Sequence, residues 1–388
     1  MIAKRAVVRS VPVAVLVALL AGCAAPTSGH TNATPSPTPS PTQTQAASPS
    51  VRVPLNCGDL FSTTEVQALT GAPAPIDADE STAPSYLEAL AARQFGLLEC
   101  RWDGAGTGDN MSYAARLSVE IAPDASASFD KFFAADMAST FEQHTAPVEN
   151  SAGDRSGYWC VTDVSQNSGG LGPDCRAEML LGSYWVSIRL NEANPVAEAG
   201  ASATMRSALG TVATKLRAAG HAKRAWIGSP AKAPAFCTSS ASTTQVQTIF
   251  TDPGLTIVRD NNVVTPGAFQ VPQFAETYST CSWQETSGNV GHGIIYVSLL
   301  AGASWAFPGF KPTEPSDSIT ADSSYQPIAV AGASFAQETC PLVRETGGTA
   351  CDAYLLTGGT VVQVLFDGAA VTQNEAILSK LVTAISAS

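Results

Sequence analysis

Eight cysteines fall into two sets of nearly equal spacing, and this limits the fold more than any other feature of the chain. The first set is Cys57, Cys100, Cys160 and Cys175, and the second is Cys237, Cys281, Cys340 and Cys351. The intervals are 43, 60 and 15 residues in one and 44, 59 and 11 in the other. Local sequence keeps the same step. Ser62-Thr63-Thr64-Glu65-Val66-Gln67 returns as Ser242-Thr243-Thr244-Gln245-Val246-Gln247, and Cys100-Arg101-Trp102 as Cys281-Ser282-Trp283. Near the ends, Cys175, Ala177, Met179, Leu180 and Gly182 are matched by Cys351, Ala353, Leu355, Leu356 and Gly358. An internal duplication is the economical reading.

The N-terminus indicates where such cysteines are oxidised. Lys4, Arg5 and Arg9 precede an uncharged apolar run from Val11 to Leu20, which is too short to span a bilayer and is followed by Ala21-Gly22-Cys23. This resembles the lipobox of bacterial lipoproteins. The expectation is a signal peptide over 1–22 and lipidation at Cys23, the first residue of the mature chain. Residues 23–54 are rich in Pro, Ser and Thr and read as an extended stalk. The chain carries 21 Lys and Arg against 33 Asp and Glu, a net charge of −12 that becomes −15 without residues 1–22. Such a chain repels phosphate backbones and anionic lipid, so nucleic acid is excluded as a partner and membrane attachment rests on the lipid.

In an exported chain, four cysteines per copy read as two disulfides. Four cysteines allow three connectivities; the local one is preferred, Cys57–Cys100 with Cys160–Cys175 and Cys237–Cys281 with Cys340–Cys351. A zinc site is disfavoured because no paired C-x-x-C occurs.

Both copies share one skeleton. Ser62 with Glu65 and Ser242 with Gln245 read as capping boxes that open a helix, the first ending at Gly71 and the second at Pro253-Gly254. Leu117, Val119 and Ile121 alternate with polar residues, as in a strand with one wet face, and Ile295 to Leu300 take the equivalent place. Hairpins follow at Cys160/Cys175 and Cys340/Cys351. A closing helix is predicted from Met205, Leu209, Val212 and Leu216, and again from Ile377, Leu381 and Ile385. Phe129, Phe132, Phe133 and Met137 form a helical stripe in the first copy, whereas Pro308 and Pro312 interrupt the matching region near Phe307 and Phe310. The fold class is α+β: two tandem copies of a disulfide-stapled α/β sandwich on a mainly antiparallel sheet, over 55–219 and 235–388, joined by a linker at 220–234.

Signals for chemistry are sparse. The four histidines, His30, His144, His221 and His292, lack metal-ligand spacing, and no G-x-S-x-G occurs; Gly332-Ala333-Ser334-Phe335-Ala336 fails at its last position. Gly104, Gly106 and Gly108 read as a turn rather than a phosphate cradle, and Asp77, Asp79 and Glu80 as a solvated loop rather than a Ca²⁺ site. Trp102 and Trp283, each two residues past a cysteine, read as core. The densest aromatic group is Tyr158, Trp159, Tyr184 and Trp185, the speculative place for a ligand, although packing on the sheet face is the simpler account.

The motifs Cys57 with Leu60, Glu65-Val66, Gly71, Cys100-x-Trp102 and Gly153-Asp154 resemble a family of actinobacterial cell-envelope lipoproteins with a domain of unknown function. The resemblance covers roughly 55–215 and, more weakly, 235–388, where Gln245 replaces Glu65 and Ala333 replaces Asp154. The arrangement is also similar to extracellular sensor domains of actinobacterial receptor Ser/Thr kinases, which implies binding or sensing outside the membrane and supplies no catalytic residues. The expectation is a lipid-anchored binding or interaction protein on the extracytoplasmic face of the bacterial cell membrane. Its partner would be a small molecule, a lipid or an envelope protein, with no cofactor, metal or enzymatic activity. The alternatives are an envelope hydrolase with a dispersed site, or a structural spacer.

Overall fold

The local cysteine pairing is the one adopted in the computed structural model: Cys57–Cys100, Cys160–Cys175, Cys237–Cys281 and Cys340–Cys351, with Cα separations of 5.4, 4.0, 5.3 and 4.7 Å. Each bridge removes loop entropy from the unfolded chain, worth about 2–4 kcal/mol. The structure describes residues 48–71, 87–103, 116–130, 148–149, 152–161, 174–191, 198–223, 231–258, 267–274, 276–285, 295–307, 310, 325–343, 349–367 and 371–388. The signal peptide, Cys23, most of the stalk, Phe132, Phe133, Met137, Pro308 and Pro312 lie outside the described residues.

The first half runs α1 (Cys57–Leu60), α2 (Thr63–Thr70), α3 (Leu87–Phe95), β1 (Leu98–Asp103), β2 (Arg116–Ala122), β3 (Val148–Glu149), β4 (Arg155–Val161), β5 (Asp174–Leu181), β6 (Tyr184–Asn191) and α4 (Glu198–Ala219). The second runs α5 (Ala241–Ile249), β7 (Leu255–Val258), α6 (Val271–Phe274), β8 (Tyr278–Glu285), β9 (Ile295–Leu300), β10 (Gln326–Pro327), β11 (Phe335–Val343), β12 (Thr349–Thr357), β13 (Thr360–Asp367) and α7 (Val371–Ser386). Short 3-10 turns cover Ala235–Thr238, Ala268–Gln270 and Ser304–Ala306. Among the described residues the strands form two antiparallel sheets, ordered β1-β2-β6-β5-β4-β3 and β7-β8-β9-β13-β12-β11-β10. Apart from β7, the two orders correspond strand for strand.

Local signals explain most element ends. Ser62 accepts from the Glu65 N–H while Glu65 Oε2 accepts from the Ser62 N–H at 2.7 Å, and Gly71 ends α2 at φ 68°. The second capping box does not form. Ser240 enters α5 in helical conformation, and Ser242, already inside the helix, donates its hydroxyl to Ser239 O at 2.7 Å. The extended residue before the helix is Ser239, three positions ahead of Ser242, and its Oγ accepts from Ala241 N at 3.2 Å, so the start of the helix lies upstream of the Ser242–Gln245 pair. That helix also stops before Pro253-Gly254, at Ile249, where Thr251 turns left-handed at φ 54°. Gly153-Asp154 has a structural task, since Asp154 Oδ2 accepts from Gly182 N at 2.6 Å and holds the β5–β6 turn.

One face of each sheet carries the helices. Leu117, Val119 and Ile121 meet Met205, Leu209, Val212 and Leu216 of α4. In the second half, Val297, Leu299, Val362 and Val364 meet Leu378, Leu381, Val382 and Ile385 of α7, with Ile377 only partly buried. Trp102 and Trp283 are core residues, each beside a phenylalanine, Phe61 and Phe236. The end of the expected stalk belongs to the fold: Val53 is fully buried, and Arg52 N donates to Gly96 O at 2.9 Å.

The opposite face of each sheet is covered in part by the other half. Leu87, Leu90 and Ala91 of α3 share a buried cluster with Tyr278, Leu300, Tyr354 and Val361 of the second sheet, and with Trp305, Phe307 and Phe310. Gln94 fixes the helix end, donating to Ala301 O at 2.9 Å and accepting from Trp305 Nε1 at 3.3 Å. In return, Ala268 and Val271 cover Ala122 and Trp185 of the first sheet, and Ala268 N donates to Ser187 Oγ at 2.7 Å. The exchanged segments occupy matching places, each directly before the strand that carries Cys100 or Cys281. Residues Gln45–Ser388 accordingly form one compact unit.

This contact depends on a glycine. Gly267 has φ 121°, and a Cβ there would lie 2.6 Å from Ser187 Oγ, whereas Gly182 at φ 58° has open space around it. We expect Gly182→Ala to cost about 1–2 kcal/mol for the left-handed backbone alone. Gly267→Ala should cost at least twice as much in urea denaturation, and equal losses would show that the sheet and the loop are not in contact.

Candidate functional site

The outer face of the second sheet is an ordered grid. Strand register places Phe335, Leu356, Val361, Leu300 and Tyr278 in one row; Gln337, Tyr354, Gln363, Ser298 and Thr280 in the next; and Thr339, Asp352, Leu365, Tyr296 and Ser282 in a third. The first row, largely apolar, lies under α3. The other two are chiefly hydroxyl and amide side chains. Leu87, Leu90 and Ala91 press α3 onto the apolar row, and the same helix carries Glu88 over its polar neighbour, where Glu88 Oε1 accepts from Tyr278 Oη at 2.8 Å.

Between helix and strands lies a recessed cavity of about 160 Å³, lined by Glu88, Tyr278, Thr280, Tyr296, Ser298, Gln363 and Leu365. Burial, and then the Glu88 charge, push the Tyr278 hydroxyl well above the ordinary tyrosine range, so it remains a donor at any physiological pH. Thr280 and Ser298 share one hydroxyl–hydroxyl bond at 3.2 Å. Asp352, only 1% exposed, accepts from Tyr325 Oη at 2.8 Å and from Gln363 Nε2 at 3.2 Å. Loss of hydration raises its carboxyl from 3.8 to about 6; the hydrogen bonds from Tyr325 and Gln363 oppose that rise, and the Glu88 charge adds to it. In the same rows, Gln337 Nε2 and Thr339 Oγ1 are buried without a hydrogen-bond partner among the described residues.

The first sheet's outer face differs in kind. Glu178 accepts from Trp185 Nε1 and Ser187 Oγ, both at 2.6 Å, and Asp174 takes both arms of Arg189 at 3.2 and 2.9 Å. Arg176, whose guanidinium is pushed below its usual range by burial, stands 3.8 Å from Asp174. These charges are spent on one another. A wider, open groove of about 700 Å³ runs beside α7, but the Glu375 and Ser379 side chains in it already accept from Ala329 N and Ala331 N.

The four aromatics singled out from sequence are not gathered into one surface. Tyr158 and Tyr184 face the helical core, where Tyr158 Oη accepts from Arg206 at 2.6 Å and Tyr184 Oη donates to Gly220 O at 3.1 Å. Trp159 and Trp185 point to the opposite face because successive strand residues alternate. All four are buried, so packing on the sheet accounts for them. His30, His144, His292, Asp77, Asp79, Glu80 and the Gly104 to Gly108 cluster lie outside the described residues, and His221 is exposed. Glu338, Cys340 and Cys351 come together, but both sulfurs are tied in a disulfide. Comparison with protein-family models, with curated proteins and with solved structures finds no match.

The polar rows had a signal in the sequence: Tyr278, Thr280 and Ser282, then Tyr296 and Ser298, recur at every second position and carry no charge.

The Asp352 carboxyl gives a pH signature. Below about pH 4 native and unfolded chains both hold its proton, while between about pH 4 and 6 only the native chain does, so stability falls as pH rises through that window. The rise from 3.8 to about 6 corresponds to ~3 kcal/mol. Asp352→Asn should therefore gain about 2–3 kcal/mol on the native chain between pH 4 and pH 7.5, followed by urea denaturation. A pH-independent difference would show the carboxyl to be hydrated.

Proposed function

We propose that this chain is a lipid-anchored binding protein of the bacterial cell envelope, held on the outer face of the cytoplasmic membrane, whose binding element is the polar face of the second sheet. The cavity under α3 carries this reading. It is a recessed space whose walls converge hydroxyl, amide and carboxylate groups. The exported location is supported by the run from Lys4 to Cys23, by the Pro-rich segment behind it and by four disulfides, which persist in oxidising compartments. Among the described residues no helix is long and apolar enough to cross a membrane, so on this reading the lipid on Cys23 is the anchor. The matching strand orders and the Ser62 and Ser242 segments support descent of the two halves from one duplicated unit.

The binding reading is tested by native mass spectrometry of the chain purified from its own envelope. A reproducible excess over the mass of the lipidated chain with four disulfides is expected, and a bare mass in every preparation would count against a resident small ligand. The anchor is tested separately. Cys23→Ala should move the chain from the membrane fraction to the soluble one, and its persistence with the membrane would sink the lipoprotein assignment.

A further inference from the structure

The cavity also restricts the charge of what it holds. Among the groups that line it, Glu88 carries the only formal charge. Asp352 stands behind Gln363 and holds its Nε2, which leaves Oε1 as the amide atom without a partner among the described residues. Neither carboxylate belongs to an ion pair among those residues. The walls are therefore rich in acceptors, namely a carboxylate, an amide oxygen and hydroxyl lone pairs, with the rings of Tyr278 and Tyr296 beside them.

Each ligand class can be weighed against these walls. An anion would be repelled by Glu88 at short range in a site poor in water. An apolar ligand would strip water from the Glu88 carboxylate and return no hydrogen bond to it. A neutral polyol would satisfy hydrogen bonds and leave two carboxylate charges unopposed. An organic ammonium does both, its charge set against Glu88 and its N–H groups donating to the carboxylate, amide and hydroxyl oxygens of the walls. About 160 Å³ is room for roughly five waters at ~30 Å³ each, which suits a compact head group. We infer that the cavity beneath α3 binds a small organic ammonium ion, with Glu88 as its counter-ion. The inference rests on the binding reading above and names the chemistry of its ligand.

Isothermal titration calorimetry on the full chain in detergent tests it, with ethylammonium and tetramethylammonium chlorides as probes and sodium chloride and glucose as controls at matched ionic strength. A saturable heat with an ammonium salt and none with either control is expected. Glu88→Gln should weaken that binding roughly tenfold or more, the range of one charged hydrogen bond. Leu365→Phe, which fills the space and keeps every polar group, should block it. Thermal midpoints of both variants close to native guard against misfolding. Glucose binding without ammonium binding, or undiminished affinity in a folded Glu88→Gln chain, overturns the ammonium assignment and leaves the binding reading standing. No heat with any probe, together with a bare native mass, overturns both.

Discussion

A β-sheet has two faces, and helices from its own half cover only one of them here. The other is covered by the reciprocal exchange of α3 and the Gly267 to Phe274 segment, together with Phe129 on the first sheet and Trp305, Phe307 and Phe310 on the second, and the rest of the architecture depends on that exchange. Leu87, Leu90 and Ala91 have their apolar partners on the second sheet rather than the first, and Ala268 and Val271 have theirs on the first. Gln94 is the most informative residue at this contact: a fully buried amide satisfied at both ends by atoms more than two hundred residues away. Removing either half would strand such groups as well as expose the clusters, so the two halves fold as one body.

The exchange is symmetric in position but not in chemistry. Register aligns Glu120, Ser187 and Glu178 across the first sheet, and Ser298, Gln363 and Tyr354 at the corresponding places in the second. Carboxylates and arginines of the first sheet neutralise one another, and Gly267 presses backbone directly against Ser187. The second sheet has hydroxyls and amides without matching charges, and the longer α3 bridges over them. Two halves with one strand order thus bury the same kind of face in different ways, a packed contact in one and a recess in the other.

Cysteine spacing and apolar alternation made the skeleton legible before any coordinates. Both signals are local in origin: a bridge joins neighbouring strands or a helix to the adjoining strand, and alternation reports which face of a strand is dry. The second capping box does not form because the helix begins at Ala241, ahead of Ser242, with the extended Ser239 accepting from Ala241 N instead. The exchange itself left no trace in sequence, since an apolar helix stripe does not specify which sheet it will meet. For the same reason attention fell on the dense aromatics, while the site residues, dispersed over α3, β8, β9 and β13, are individually ordinary.

The site inherits its form from that exchange. Its carboxylate comes from the first half and its floor from the second, so neither half alone contains it. Glu88 lies on a helix held by an apolar strip and tied at its far end by Gln94, and the floor is the middle of a sheet whose flanking strands β8 and β12 carry bridges at Cys281 and Cys351. The polar groups there lose hydration on folding and are paired only in part, Glu88 with Tyr278, Thr280 with Ser298 and Gln363 with Asp352, which leaves acceptor capacity facing the recess. A ligand that supplies the missing partners then binds a cavity already shaped for it, with little of its interaction free energy lost to ordering the protein.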